Sequence, residues 1–263
     1  MLKKLMNQLM LVGLFKSVGN KAAVGLGLSL LTAGIASTAY AYVDGFYVGG
    51  GVNYTWFTYD YDFIDTDFQR GTQDKNSNDA TGNDAGGQVV AGYTWLLPVN
   101  NKYFVSLEGF ANFHTIDANQ SWNNTTTSGA VSSLNATVQN AYGLIVKPGV
   151  SITDNFNLFV EGGIAYSQLK DISYDRTFAS GRTFITEYDN ENLFGYRFGL
   201  GGQYVLTENF VAELSWALTY YDGFSQHGTT NASDTGEISA EGTPDLNAIR
   251  TNQVFLNLNY YFE

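Results

Sequence analysis

From Tyr42 onward, apolar residues recur at every second position in runs of about 10 to 12, with Gly, Ser, Thr, Asn, Gln and a few charges between them. That is the period of a β-strand and not of a helix. Between Phe156 and Ser167 one face carries Phe156, Leu158, Val160, Gly162, Ile164 and Tyr166. The other carries Asn157, Phe159, Glu161, Gly163, Ala165 and Ser167. Eight such runs are predicted, at roughly 46–57, 87–96, 103–114, 139–150, 156–167, 193–204, 210–221 and 253–262. An even number suits a closed antiparallel barrel.

The links between the runs alternate between long and short, at about 29, 6, 24, 5, 25, 5 and 31 residues. Alternation implies two chemically different ends. Short links such as Leu97 to Lys102, Ser151 to Asn155 and Val205 to Asn209 are expected to be periplasmic turns. The four long ones, rich in Asp, Asn, Thr, Gly and Ser, are expected to be extracellular loops, with both termini periplasmic.

One face of each run is greasy: Val105, Leu107 and Phe113; Tyr142, Leu144 and Val146; Phe194, Tyr196, Phe198 and Leu200; Leu214, Trp216 and Leu218; Leu256, Leu258 and Tyr260. The opposite face holds Gly49, Gly51, Glu108, Lys147, Gly149, Glu161, Gly163, Arg197, Gly199, Gly201 and Glu213. A soluble eight-stranded barrel of the lipocalin kind would be inside out with this distribution. In lipid, the same greasy faces meet the correct solvent. The fold expected is therefore all-β, an eight-stranded antiparallel transmembrane up-and-down β-barrel at the outer membrane.

Composition adds a leader and a charge. Lys3, Lys4, Lys16 and Lys21 precede an apolar, small-residue run from Ala22 to about Ala36 that ends near Ala39-Tyr40-Ala41. Residues 1–41 thus read as a signal peptide and 42–263 as one barrel domain. The leader takes four of the 13 basic residues and no acid, leaving 9 basic against 25 acidic side chains, a net −16. Nucleic acid is excluded as a partner by that balance. The 18 Tyr, 18 Phe and 4 Trp suit aromatic girdles at two membrane interfaces.

The stretches Asn101 to Phe110, Lys147 to Phe159 and Thr207 to Leu214 resemble the membrane domain of outer membrane protein A. More widely, the chain resembles the outer-membrane β-barrel family that includes small porin-like and opacity-type surface antigens. The resemblance implies an eight-stranded barrel in contact with outer-membrane lipid and lipopolysaccharide, folded by the outer-membrane assembly machinery and displaying variable loops. The periplasmic peptidoglycan-binding domain of outer membrane protein A has no counterpart before Tyr260-Tyr261-Phe262-Glu263, so a cell-wall anchoring role is not carried over. The family's strand-end signal puts an aromatic last and a Gly five residues earlier. Here Glu263 follows Phe262, and Asn257 takes the Gly place.

Candidate chemistry centres on Glu108, Lys147 and Glu161, which alternation points into the lumen at similar heights, with Arg197 and Glu213 on the same inward faces. Lys147 is expected to sit between the Glu108 and Glu161 carboxylates, because unpaired charge in a lumen barely wide enough for side chains is costly. The resemblance implies an interior ion pair at Glu108 and Lys147 that blocks the lumen. Its place matching Glu213 is basic in the related protein and acidic here. The sharper reading of the cluster is a charge gate through a narrow pore; the plainer one is a static polar plug.

Catalytic possibilities are thin. His114, with Asp117 and Ser121, and His227, with Asp222 and Ser225, are the sets available to a rim hydrolase, but surface histidines without catalytic duty are the better reading of both. Asp60, Asp62, Asp65, Asp67, Asp74, Asp79 and Asp84 crowd the first long link without the ligand spacing of a calcium loop. Asn123-Asn124-Thr125 and Asn231-Ala232-Ser233 match glycosylation triplets. No cofactor or metal is expected. The functional expectation is a non-enzymatic outer-membrane surface protein whose loops serve envelope integrity and adhesion to host or phage surface ligands. A narrow passive channel and a lipid-modifying enzyme are the alternatives.

Overall fold

The computed structural model describes residues 44–67, 72–98, 102–123, 131–177, 183–225, 228–231 and 238–262. The leader expected at residues 1–41 lies outside them. The described strands are β1 (Gly45–Asp67), β2 (Thr72–Leu96), β3 (Tyr103–Asn123), β4 (Val131–Thr153), β5 (Phe156–Thr177), β6 (Thr183–Glu187), β7 (Glu191–Val205), β8 (Phe210–Tyr221), β9 (Phe224–Ser225), β10 (Gly228–Asn231) and β11 (Ile238–Tyr261). Eight of them form a ring in the order β1-β2-β3-β4-β5-β7-β8-β11, closed by antiparallel pairing of β11 with β1 from Tyr47↔Tyr261 onward. The short strands pair at one end only, β6 on β5 and β9 and β10 on β11.

At the opposite end the turns are tight. Asp154 and Asn155 join β4 to β5, and Val205 N–H donates to Asn155 O at 3.0 Å. Leu206 N–H donates to Phe210 O at 2.9 Å, while Asn209 Nδ2 donates to Tyr261 O at 3.1 Å. Backbone groups that would otherwise end unpaired are satisfied there.

Around the ring runs an apolar belt. On β1 the outward residues are Phe46, Val48, Val52, Tyr54 and Trp56, and above them come Thr58, Asp60 and Asp62. Eleven residues from Phe46 to Trp56, at about 3.3 Å each and tilted by roughly 45°, cover about 25 Å, the height of an outward apolar band. Inside the belt β1 presents Gly49, Gly51, Asn53 and Thr55. Above it, β1 presents buried Phe57, Tyr59 and Tyr61.

On β1 the alternation therefore keeps its period and inverts its sign at the rim. β3 repeats this, with Ser106, Glu108 and Asn112 inward within the belt and Ile116 and Ala118 inward above it, where Thr115, Asp117 and Asn119 face out. β-Bulges near the rim help to maintain the inversion. In β4 the inward positions step from Ala141 to Val138, and in β5 from Leu169 to Ile172, beside Asp171 at φ 50°. In β11 they step from Ile249 to Leu246, beside Ala248 at φ 47°. Each bulge re-aims the apolar side chain inward.

The long links thus differ from the loops expected. Strands continue through most of them: β1 and β2 stay paired to Asp67↔Thr72, and β3 and β4 to Asn123↔Val131. Meanwhile the β2–β3 ladder stops at Gly87↔Phe113 and the β5–β7 ladder at Leu169↔Glu191. Above the belt the barrel opens into two sheets, β2-β1-β11-β10 and β3-β4-β5-β6. Between them lies a core that includes Phe57, Ile116, Leu134, Val138, Ile172 and Leu246. This part is built like a water-soluble β-sandwich.

Candidate functional site

The inward faces within the belt bring all five predicted charged residues into the lumen, each no more than 4% exposed. They form two layers. Toward the short-turn end, Lys147 Nζ donates to Glu108 Oε2 at 2.7 Å and to Glu213 Oε1 at 2.8 Å. Tyr47 OH donates to Glu108 Oε2 at 2.8 Å, and Gln203 Nε2 to Glu213 Oε2 at 2.9 Å. The Lys147 ammonium also lies 5.1 Å from the Phe159 ring centroid.

In the second layer, Arg197 Nε donates to Glu161 Oε1 at 2.8 Å and Nη1 to Gln253 Oε1 at 3.2 Å. Gln253 Nε2 in turn donates to Thr55 Oγ1 at 3.0 Å. The guanidinium carbon is 4.6 Å from the centroids of both Phe110 and Phe255. This planar cation is thus held between two rings, a seat that suits Arg better than Lys.

One expectation is corrected. Glu161 is not the second carboxylate on Lys147; Glu213 is, and Glu161 belongs to Arg197. The expectation followed sequence neighbours, whereas Lys147 on β4 reaches across the lumen to β8. A barrel this narrow makes strands that are distant in the ring close in space. The supporting Tyr47, Gln203 and Gln253 were missed. Their signal was inward parity alone, which singles out no partner.

His114 is also placed differently. It is buried on the inward face of β3 and does not sit on the surface, and the strand runs on past it to Asn123. Asp117 and Ser121 differ from it by an odd number of residues and face outward, so these three do not meet. His227 lies outside the described residues, as do parts of both glycosylation triplets. Of the first-link aspartates, Asp60, Asp62, Asp79 and Asp84 have described side chains, and Asp60 lies 4.0 Å from Arg250. Among the described residues no three His, Asp or Glu side chains are grouped to hold a metal ion.

Above the two ionic layers stands an aromatic ladder. Successive ring centroids lie 5.5 Å apart for Phe57–Tyr59 and 6.1 Å for Tyr59–Tyr61. The steps on to Trp122 and then Tyr174 are 5.5 and 6.1 Å. Burial pushes the Tyr61 hydroxyl up to about 12, with Asp79 adding to the shift. The lumen is thus filled by ion pairs within the belt and by an apolar core above it.

A closed antiparallel ring with a charged, packed interior and a greasy outer belt defines a transmembrane β-barrel of the outer-membrane type. The chain belongs to the outer membrane protein beta-barrel domain family, whose model matches residues 26–262. Similar solved structures include Ail, the attachment invasion locus protein of Yersinia pestis, in complex with the heparin analogue sucrose octasulfate. It is 12% identical, with 82% of this chain and 99% of that one covered and a TM-score of 0.33. Neisserial surface protein A is 10% identical over 84% of this chain and 99% of that one, with a TM-score of 0.39. The outer membrane protein OprG from Pseudomonas aeruginosa is 14% identical over 86% and 99%, with a TM-score of 0.47. No curated protein matches the sequence.

Proposed function

We propose that this chain is a non-enzymatic display protein of the outer membrane. Residues 1–41 direct export, the short turns and both termini face the periplasm, and the two-sheet head stands outside the cell. There it serves adhesion or recognition and supports envelope integrity. The observation that carries this reading is the filled interior: two ionic layers and an apolar core leave the barrel as an anchor and put the variable chemistry on the head. The head's outward face, with Asp60, Asp62, Asp79, Asp117 and Asp175, favours a basic partner surface.

Planar-bilayer conductance and adhesion measured together test the reading. Wild-type protein is expected to conduct negligibly and to support adhesion. A variant with residues 57–82 replaced by a tight turn at the Trp56↔Asn83 pair should still fold in lipid, read as heat-modifiable gel mobility, and lose adhesion. Unchanged adhesion in that variant sinks the display role. Steady wild-type conductance that rises further in Lys147→Ala would replace it with a gated channel.

A further inference from the structure

The head's first sheet has one long side without a neighbour. The β2–β3 ladder ends at Gly87↔Phe113, and just above it Asp84 Oδ2 accepts from Thr115 N–H at 3.3 Å in place of a backbone carbonyl. At Gly82 the backbones still touch, since a Cβ there would come within 2.4 Å of Asp117 O. From Thr81 to Thr72, β2 then pairs with β1 alone among the described residues. Those ten residues extend about 33 Å. Along them every second residue turns its N–H and C=O away from β1.

Such an edge invites strand addition unless something blunts it. The sheet's other edge ends in β10, four residues long, and the second sheet's in β6, five residues long. β2 carries no proline between Thr72 and Thr81, and its register with β1 runs without a shift. Charge is what guards it. On the outward face Asp79 stands opposite Asp60, and Asp62 stands opposite Ser77 on one side and Asp245 on the other. Against these four carboxylates the same patch offers Arg250, 4.0 Å from Asp60. Like charges directly opposite repel. A second copy adding its own Asp79 here is therefore disfavoured, whereas a cation on the added strand relieves the repulsion.

We infer that the β2 edge from Thr72 to Thr81 takes up an extended basic segment of a partner protein as an added strand. Residues of that strand alternate between the exposed face of Asp79 and the buried face of Ala80. Lys or Arg at every second position therefore falls on the face that carries Asp79, Asp60 and Asp62, with uncharged residues between. The inference rests on the proposal that the head displays a partner-binding surface, and it names the partner's chemistry.

The test uses the folded full chain in nanodiscs of zwitterionic phospholipid and a fluorescent decapeptide of alternating Lys and Val. Saturable binding, with slowed amide exchange at residues 72–81, is expected. A fully N-methylated peptide of the same sequence keeps the charges but has no backbone donors, and should bind about tenfold more weakly or worse. A peptide of alternating Glu and Val should not bind. Asp79→Lys, a surface change whose folding is checked by heat-modifiable mobility, should weaken binding of the Lys peptide about fivefold. Equal binding of the N-methylated peptide, or protection outside residues 72–81, overturns strand addition in favour of loose charge pairing, and no binding at all overturns it outright. Protection of residues 72–81 that grows with protein concentration in the absence of peptide assigns the edge to a second copy and overturns it as well. The display reading stands or falls separately, on the adhesion of the variant lacking residues 57–82.

Discussion

Lys147 and Glu213 meet at 2.8 Å although β5 and β7 separate their strands in the ring. The bond spans the lumen, and because Lys147 also holds Glu108 at 2.7 Å, it ties three walls of the barrel together. Removing the cation leaves two buried carboxylates unpaired. Lys147→Met should cost about 3–5 kcal/mol of folding stability, read as a lowered urea midpoint in lipid vesicles. Adding Glu108→Gln and Glu213→Gln should restore most of it; no recovery would show that the charges are not what the lysine offsets.

Arg197 tests shape against charge. Lysine there keeps the positive charge facing Glu161 but cannot lie flat between Phe110 and Phe255 or hold Gln253 with the same fork. Arg197→Lys is expected to lose about 1–2 kcal/mol. A midpoint equal to wild type would show that the charge alone matters.

The head should loosen without the belt. Leu134 is fully buried between the two sheets, well above the rim. Leu134→Ala should cost about 3 kcal/mol. Hydrogen exchange is expected to show lost protection in residues 57–62 and 131–138, with the belt strands unchanged. Equal loss in both regions would mean that they unfold as one unit.

Alkali should weaken the head through Tyr61. Its raised value, about 12 against the ordinary 10, means that the folded state favours the neutral phenol. The associated stability is complete below pH 10 and declines as pH rises through about 12. Head stability measured by proteolysis should fall across that window in wild type and less in Tyr61→Phe. Parallel falls in the two proteins would assign the effect elsewhere.

Glycines on the two faces should differ in tolerance. A Cβ at Gly163 would enter the Leu144 carbonyl oxygen and press on Ile145, whereas one at Gly109 finds ordinary contacts. Gly163→Ala is expected to impair refolding and Gly109→Ala to leave it intact, judged by heat-modifiable mobility.

The sequence by itself determined the belt. Alternation over runs such as Phe156 to Ser167, the even count and the rhythm of long and short links fixed the ring and the inward parity of Glu108, Lys147, Glu161, Arg197 and Glu213, because side-chain direction in a strand follows from position number alone. Parity says which face a residue is on, but not which residue it meets. The Lys147–Glu213 pairing came from the curvature of a narrow closed barrel, which brings β4 and β8 within reach across the lumen, whereas Arg197 and Glu161 are diagonal neighbours on the paired strands β7 and β5. The head escaped for a related reason. Above the rim the alternation changes sign, and bulges near Gln139, Asp171 and Ala248 break its period, so a buried sandwich reads as polar loops until the two sheets are seen to face each other across Phe57, Leu134 and Ile172.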